Sequence, residues 1–102
     1  MSYAARTDAN QAAIVAALRA AGCTVHCTHR VGHGFPDLVV GKHGVTVLME
    51  VKQPGCKPNR AERLWYKAWD GGPLFIVHNV DEALAVAGCM AAGHVPQNIK
   101  GG

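Results

Sequence analysis

Aromatic side chains are scarce in this chain, with two each of Trp, Tyr and Phe among 102 residues. A core must therefore come mostly from alanine, valine and other aliphatics, enough for one modest domain. Charge is thin too: 17% of residues carry it against 49% hydrophobic, which excludes a disordered polyelectrolyte. No apolar run reaches bilayer length, so no spanning helix is expected. The opening "MSYAARTDANQ" lacks the apolar stretch of a secretory signal, and a cytoplasmic location is the expectation.

Without such a signal, Cys23, Cys27, Cys56 and Cys89 read as free thiols rather than a disulfide framework. Cys23 and Cys27 with His26 and His29 suggest a zinc site in a small interaction protein. A second ligand pair is absent, however, and buried small hydrophobes account for the cysteines as well. The net charge of +3 with six histidines suits nucleic acid without demanding it.

There is no internal repeat or low-complexity tract, and a single domain is expected over 1–93 with a tail over 94–102. "TDANQAAIVAALRAAG" places Ile14, Val15, Leu18 and Ala21 at helical spacing, with Thr7 or Asp8 as the cap and Gly22 as the stop. Cys23 to Val31 is β-branched and alternating, which predicts a strand. Beyond the "GHGFP" loop come a short apolar strand over Leu38 to Gly41, a "KHG" turn, and a longer strand over Val45 to Lys52. Asn59 to Trp69 predicts a helix, with Asn59 and Glu62 at capping-box spacing and Leu64, Trp65, Ala68 and Trp69 on its apolar side. "LFIVH" is a strand apolar enough for a sheet interior, and "NVDEALAVAGCMAAG" is a helix capped by Asn79. The order αβββαβα implies a mixed α/β fold: a central mixed sheet of about four strands flanked by helices. Its last strand is reached by a helical crossover and so runs parallel to a neighbour.

The central hairpin carries charges that a buried run should not. Alternation puts Val45, Val47, Met49 and Val51 on one face of the long strand, and Thr46, Leu48, Glu50 and Lys52 on the other. Glu50 and Lys52 thus project together, roughly 6–7 Å apart along the strand. Folding at the turn brings Asp37 opposite Glu50 within a residue of register. Two converging carboxylates repel unless one is protonated or a divalent cation lies between them. Mg²⁺ suits the pair, with Mn²⁺ able to substitute, because it takes oxygen ligands and commonly uses one or two carboxylates plus substrate phosphate. The backbone carbonyl of Val51 is a natural further ligand. Lys52 can orient or deprotonate a water there, its proton affinity lowered by the cation. The plainer reading is a surface hairpin on which Lys52 pairs with Glu50 or Asp37.

Pro36 and Asp37, thirteen residues before Glu50, followed by "EVK" at Glu50 to Lys52, resemble the PD-(D/E)xK nuclease superfamily. The stretches "DANQAAIVAALRAAG", "VGHGFPDLVVG", "RLWYKAW" and "GGPLFIVHNVDEALA" resemble its VRR-NUC branch, especially the small stand-alone versions of phages and prophages. The resemblance covers about residues 6 to 88. It implies a restriction-endonuclease-like fold and metal-dependent phosphodiester hydrolysis, with Asp37 and Glu50 as the metal-binding acids and Lys52 as the catalytic lysine. Many members add an acid from the first helix; Asp8 is the candidate, although its spacing to Gln11 also fits a capping box. Where the family often has a glutamine on the helix after the motif, this chain has Glu62, which its capping role with Asn59 explains.

The resemblance also implies DNA as partner, with branched forms such as four-way junctions suggested by stand-alone members. A chain this small has little surface to hold a duplex alone, so a homodimer is expected. Among the basic residues Arg30, His33, Lys42, Lys57, Arg60, Arg63 and Lys67, His33 between two glycines is the first candidate for phosphate, with Arg30, Lys57 and Arg60 as further contacts. Trp65 and Trp69 read as core or dimer-interface residues rather than base-stacking platforms. The alternative to an endonuclease is a non-catalytic nucleic-acid-binding module of the same fold.

Overall fold

The computed structural model describes residues 2–92, with side chains described from residue 9 onward, so the tail over 94–102 lies outside the described residues. The elements are α1 (Ser2–Ala20), β1 (Thr24–Cys27), β2 (Leu38–Lys42), β3 (Val45–Val51), α2 (Arg60–Ala68), β4 (Leu74–Val77) and α3 (Val80–Ala91). This is the expected order. The sheet runs β1-β2-β3-β4, antiparallel through the first three strands and parallel between β3 and β4.

Helix α1 starts earlier than its sequence suggests. Thr7 and Asp8 lie inside it rather than at its cap, because no glycine or proline interrupts the alanine-rich segment before them. Its end is the expected one. Gly22, at φ +92°, follows the helix in a Schellman arrangement, with Cys23 N–H donating to Leu18 O and Gly22 N–H to Arg19 O.

Strand β1 is shorter than the alternation over 23–31 predicts. The Thr28 N–H donates to Asp37 O at 2.7 Å and its hydroxyl to Pro36 O at 2.8 Å. Val31 N–H then folds back to Thr28 O, and Gly32, His33 and Gly34 all take positive φ. Such a run of left-handed residues is a loop, not a strand. At the hairpin, Lys42 pairs with Val45, so the turn is His43–Gly44 alone. Both have positive φ, as a two-residue type I′ turn requires.

Both sheet faces are covered. Val25, Leu38, Val40, Val47, Met49, Phe75 and Val77 meet Ile14 and Leu18 of α1 and Ala83, Ala87 and Met90 of α3 in the main core. On the other face Leu48, Tyr66 and Leu74 form a smaller cluster, with Trp65 and Trp69 half-buried against it. The expected apolar side of α2 is rotated: Leu64 is 56% exposed and Ala68 is exposed, whereas Tyr66 is buried. The helix faces the sheet through Glu62 and Tyr66, one turn apart, because the charged end of β3 lies beneath it.

Candidate active site

The hairpin register pairs Leu38 with Met49, and one step further toward the strand ends sets Asp37 across from Glu50. Pro36, fully buried, anchors the approach. Asp37 turns its carboxylate onto β3, where Oδ2 accepts the Val51 N–H at 2.9 Å. Lys52 is held by its own N–H, which donates to Val77 O at 2.9 Å. Its ammonium lies 3.7 Å from Glu50 Oε2 and 2.7 Å from Glu62 Oε1. The structure thus brings Asp37, Glu50 and Lys52 together as expected, and adds Glu62.

Glu50 is 3% exposed, and its Oε1 has no hydrogen-bond partner. The hydroxyl of Tyr66, equally buried, has none either. Glu50 and Tyr66 nevertheless interact, burial and then the acid helping to hold the phenol proton, so the two form one buried polar cluster with Asp37 and Glu62.

The electrostatics follow from burial and crowding of like charge. Burial first, then the charge of Asp37, pushes the Glu50 carboxyl up to about 9. Burial also raises Asp37, against the opposing pull of the Val51 N–H. Glu62 goes the other way: burial opposes its ionisation, but Lys52 and the Asn59 N–H outweigh it and hold it below the usual carboxylate range. For Lys52, burial is outweighed by the hydrogen bond and charge of Glu62, then by Glu50 and Asp37, so its proton is held more tightly than usual. The sequence reading has its proton affinity lowered by a cation. Among these side chains alone the balance is reversed, since the ammonium is encircled by acids.

A divalent cation fits this donor set. Burial and the charge of Asp37 favour the protonated form of Glu50, and its Oε1 is buried without a partner; a cation bound there would displace that proton. Among the described residues no three His, Cys, Asp or Glu side chains form a ready-made cage. A cation held here would need water or substrate oxygens to complete its coordination. The cysteines are unpaired, with Cys23 buried and Cys27, Cys56 and Cys89 exposed. Among the described residues none belongs to a group of three or more His, Cys, Asp or Glu side chains that could hold a metal.

The remaining candidates divide. The side chain of Asp8 lies outside the described residues. Gln11 does not cap; it is buried in α1, with its amide nitrogen 3.3 Å from His29 Nδ1. Arg30, His33, Lys57 and Arg60 are all exposed, His33 at φ +58° in the loop before Asp37. Trp65 stacks on Trp69 at 4.9 Å and meets Phe35 edge-on at 5.1 Å, an arrangement that packs α2 against the motif loop. Glu62, which its spacing to Asn59 marks as a cap, both caps α2 and pairs with Lys52. Tyr66 was missed, though its place four residues after Glu62 on one helix face is a usable signal.

No family model matches this sequence, and no curated protein matches it. Among solved structures, one described as a VRR_NUC domain is similar over 80% of this chain and 94% of its own, with a TM-score of 0.66 and 22% identity. The chain therefore has the fold of a VRR_NUC domain.

Proposed function

We propose that this protein is a Mg²⁺-dependent endonuclease that hydrolyses phosphodiester bonds in DNA. The observation that supports it best is the convergence of Asp37, Glu50 and Lys52 at one end of the sheet, with a buried Glu50 oxygen left unpartnered. Asp37, Glu50 and the Val51 carbonyl would hold the cation, with Asp8 as a further ligand from α1. When bound, such a cation supplies Lewis-acid activation of water and neutralises charge on the phosphate. Lys52, beside Glu50 and Glu62, would orient the attacking water or take a proton from it.

A homodimer is part of the proposal, because so small a domain offers little surface to grip a duplex, and branched DNA is part of it because of the resemblance to stand-alone VRR-NUC proteins. The decisive experiment is cleavage of linear, nicked and four-way DNA with Mg²⁺, Mn²⁺ or EDTA. Asp37→Ala, Glu50→Ala and Lys52→Ala are each expected to lower the rate at least about a hundredfold, the scale of one group removed from a preorganised site. Undiminished cutting by Glu50→Ala would refute the assignment. DNA binding without cleavage under any metal would make this a binding module instead.

A further inference from the structure

The lysine of the hairpin is gripped from another element. Glu62 Oε1 lies 2.7 Å from Lys52 Nζ, a full ångström closer than Glu50 Oε2 at 3.7 Å. That same oxygen accepts the Asn59 N–H at 2.8 Å, while Asn59 Oδ1 accepts the Glu62 N–H at 2.9 Å. The carboxylate is thus held by the Asn59 N–H, and the backbone of Glu62 by the Asn59 side chain, before the carboxylate meets the ammonium. Capping alone needs only the bond to Asn59; the second contact on the same oxygen is extra, and it is the shorter of the two.

A lysine is a point charge on a flexible stem, and in water its head samples many positions. Here it has one dominant partner, and that partner is rigid. We infer that Glu62 is a positioning residue: locked in the capping box of α2, it holds the Lys52 ammonium beside the Asp37–Glu50 pair. The inference rests on the nuclease reading for its consequence, since what is positioned is the group that meets substrate. It also gives the α2 crossover a catalytic purpose, because the helix start and the end of β3 are joined through one oxygen.

Three variants separate positioning from capping. Glu62→Ala removes the acceptor and is expected to lower kcat roughly ten- to a hundredfold, the range for outer partners of catalytic groups, with KM changed far less. Glu62→Gln keeps an acceptor oxygen and should retain most of the rate. Asn59→Ala keeps its backbone N–H, and with it the grip on Glu62, so it should lose stability but little activity. An independent measurement is the Lys52 ammonium signal in nitrogen-detected NMR. It is expected to be protected from exchange in the wild type and in Asn59→Ala, and lost in Glu62→Ala. An unchanged or raised kcat in Glu62→Ala, or an equal loss in Asn59→Ala, overturns the inference. Failure of the nuclease reading looks different: Asp37→Ala and Glu50→Ala then cleave like the wild type, while the NMR signal still reports on the tether.

Discussion

Glu50 concentrates the tension of this molecule in one carboxyl group. It is buried on the α2 face, Asp37 faces it across the hairpin, and its proton leaves only near pH 9 instead of the ordinary 4.5. Because the folded state binds a proton that the unfolded chain has released, stability is full below about pH 4.5 and declines as pH rises through 9. Glu62 is held low and works in the opposite sense, but only in more acid solution. Thermal melts of the metal-free protein are therefore expected to fall steadily between those limits. Glu50→Gln, which cannot ionise, should flatten that slope; an equally steep decline in the variant would show that the acid is not the cause. Asp37, Glu50 and Lys52 were legible in the sequence because strand alternation and a short turn leave few ways to arrange them. The second role of Glu62 was not, because a helix cap is a local pattern, whereas its contact with Lys52 joins two elements.

At the scale of elements, the loop before Asp37 depends on one close approach. Gly34 has φ +84°, and a Cβ there would meet the Ala61 carbonyl oxygen at 2.5 Å and the Trp65 Cβ at 3.0 Å. Gly34→Ala is expected to cost about 1–3 kcal/mol from backbone strain alone, read as a lower denaturation midpoint. The displaced loop would also carry Pro36 and Asp37 with it, so cleavage should fall along with stability. Helices α2 and α3 were readable because Asn59 and Asn79 cap them as their spacing implies. The end of β1 was less so: alternation continues to Val31 in the sequence, but Thr28 spends its hydrogen bonds on Pro36 and Asp37 and bends the chain away. The rotation of α2 was equally hidden, since Leu64 is as apolar as a core residue and only packing shows that it faces out.

For the whole molecule, the nuclease proposal raises the question of how so small a domain would hold a polyanion. Arg30 and Arg60 are exposed, as the nuclease reading needs. Each phosphate contact contributes about −0.9 to the slope of log affinity against log salt. Binding of duplex DNA in EDTA, followed by fluorescence anisotropy, should therefore lose about two units of that slope when both arginines become alanine. An unchanged slope removes them from the interface. Met49 and Glu50 stand next to each other on β3 with opposite orientations, one in the main core and one in the site. A slip of one residue between β2 and β3 would exchange them, burying an acid among aliphatics and presenting a thioether where the acids should meet. A copy assembled one residue out of register would therefore fold without this cluster of acids, so the site and the main core are correct only together.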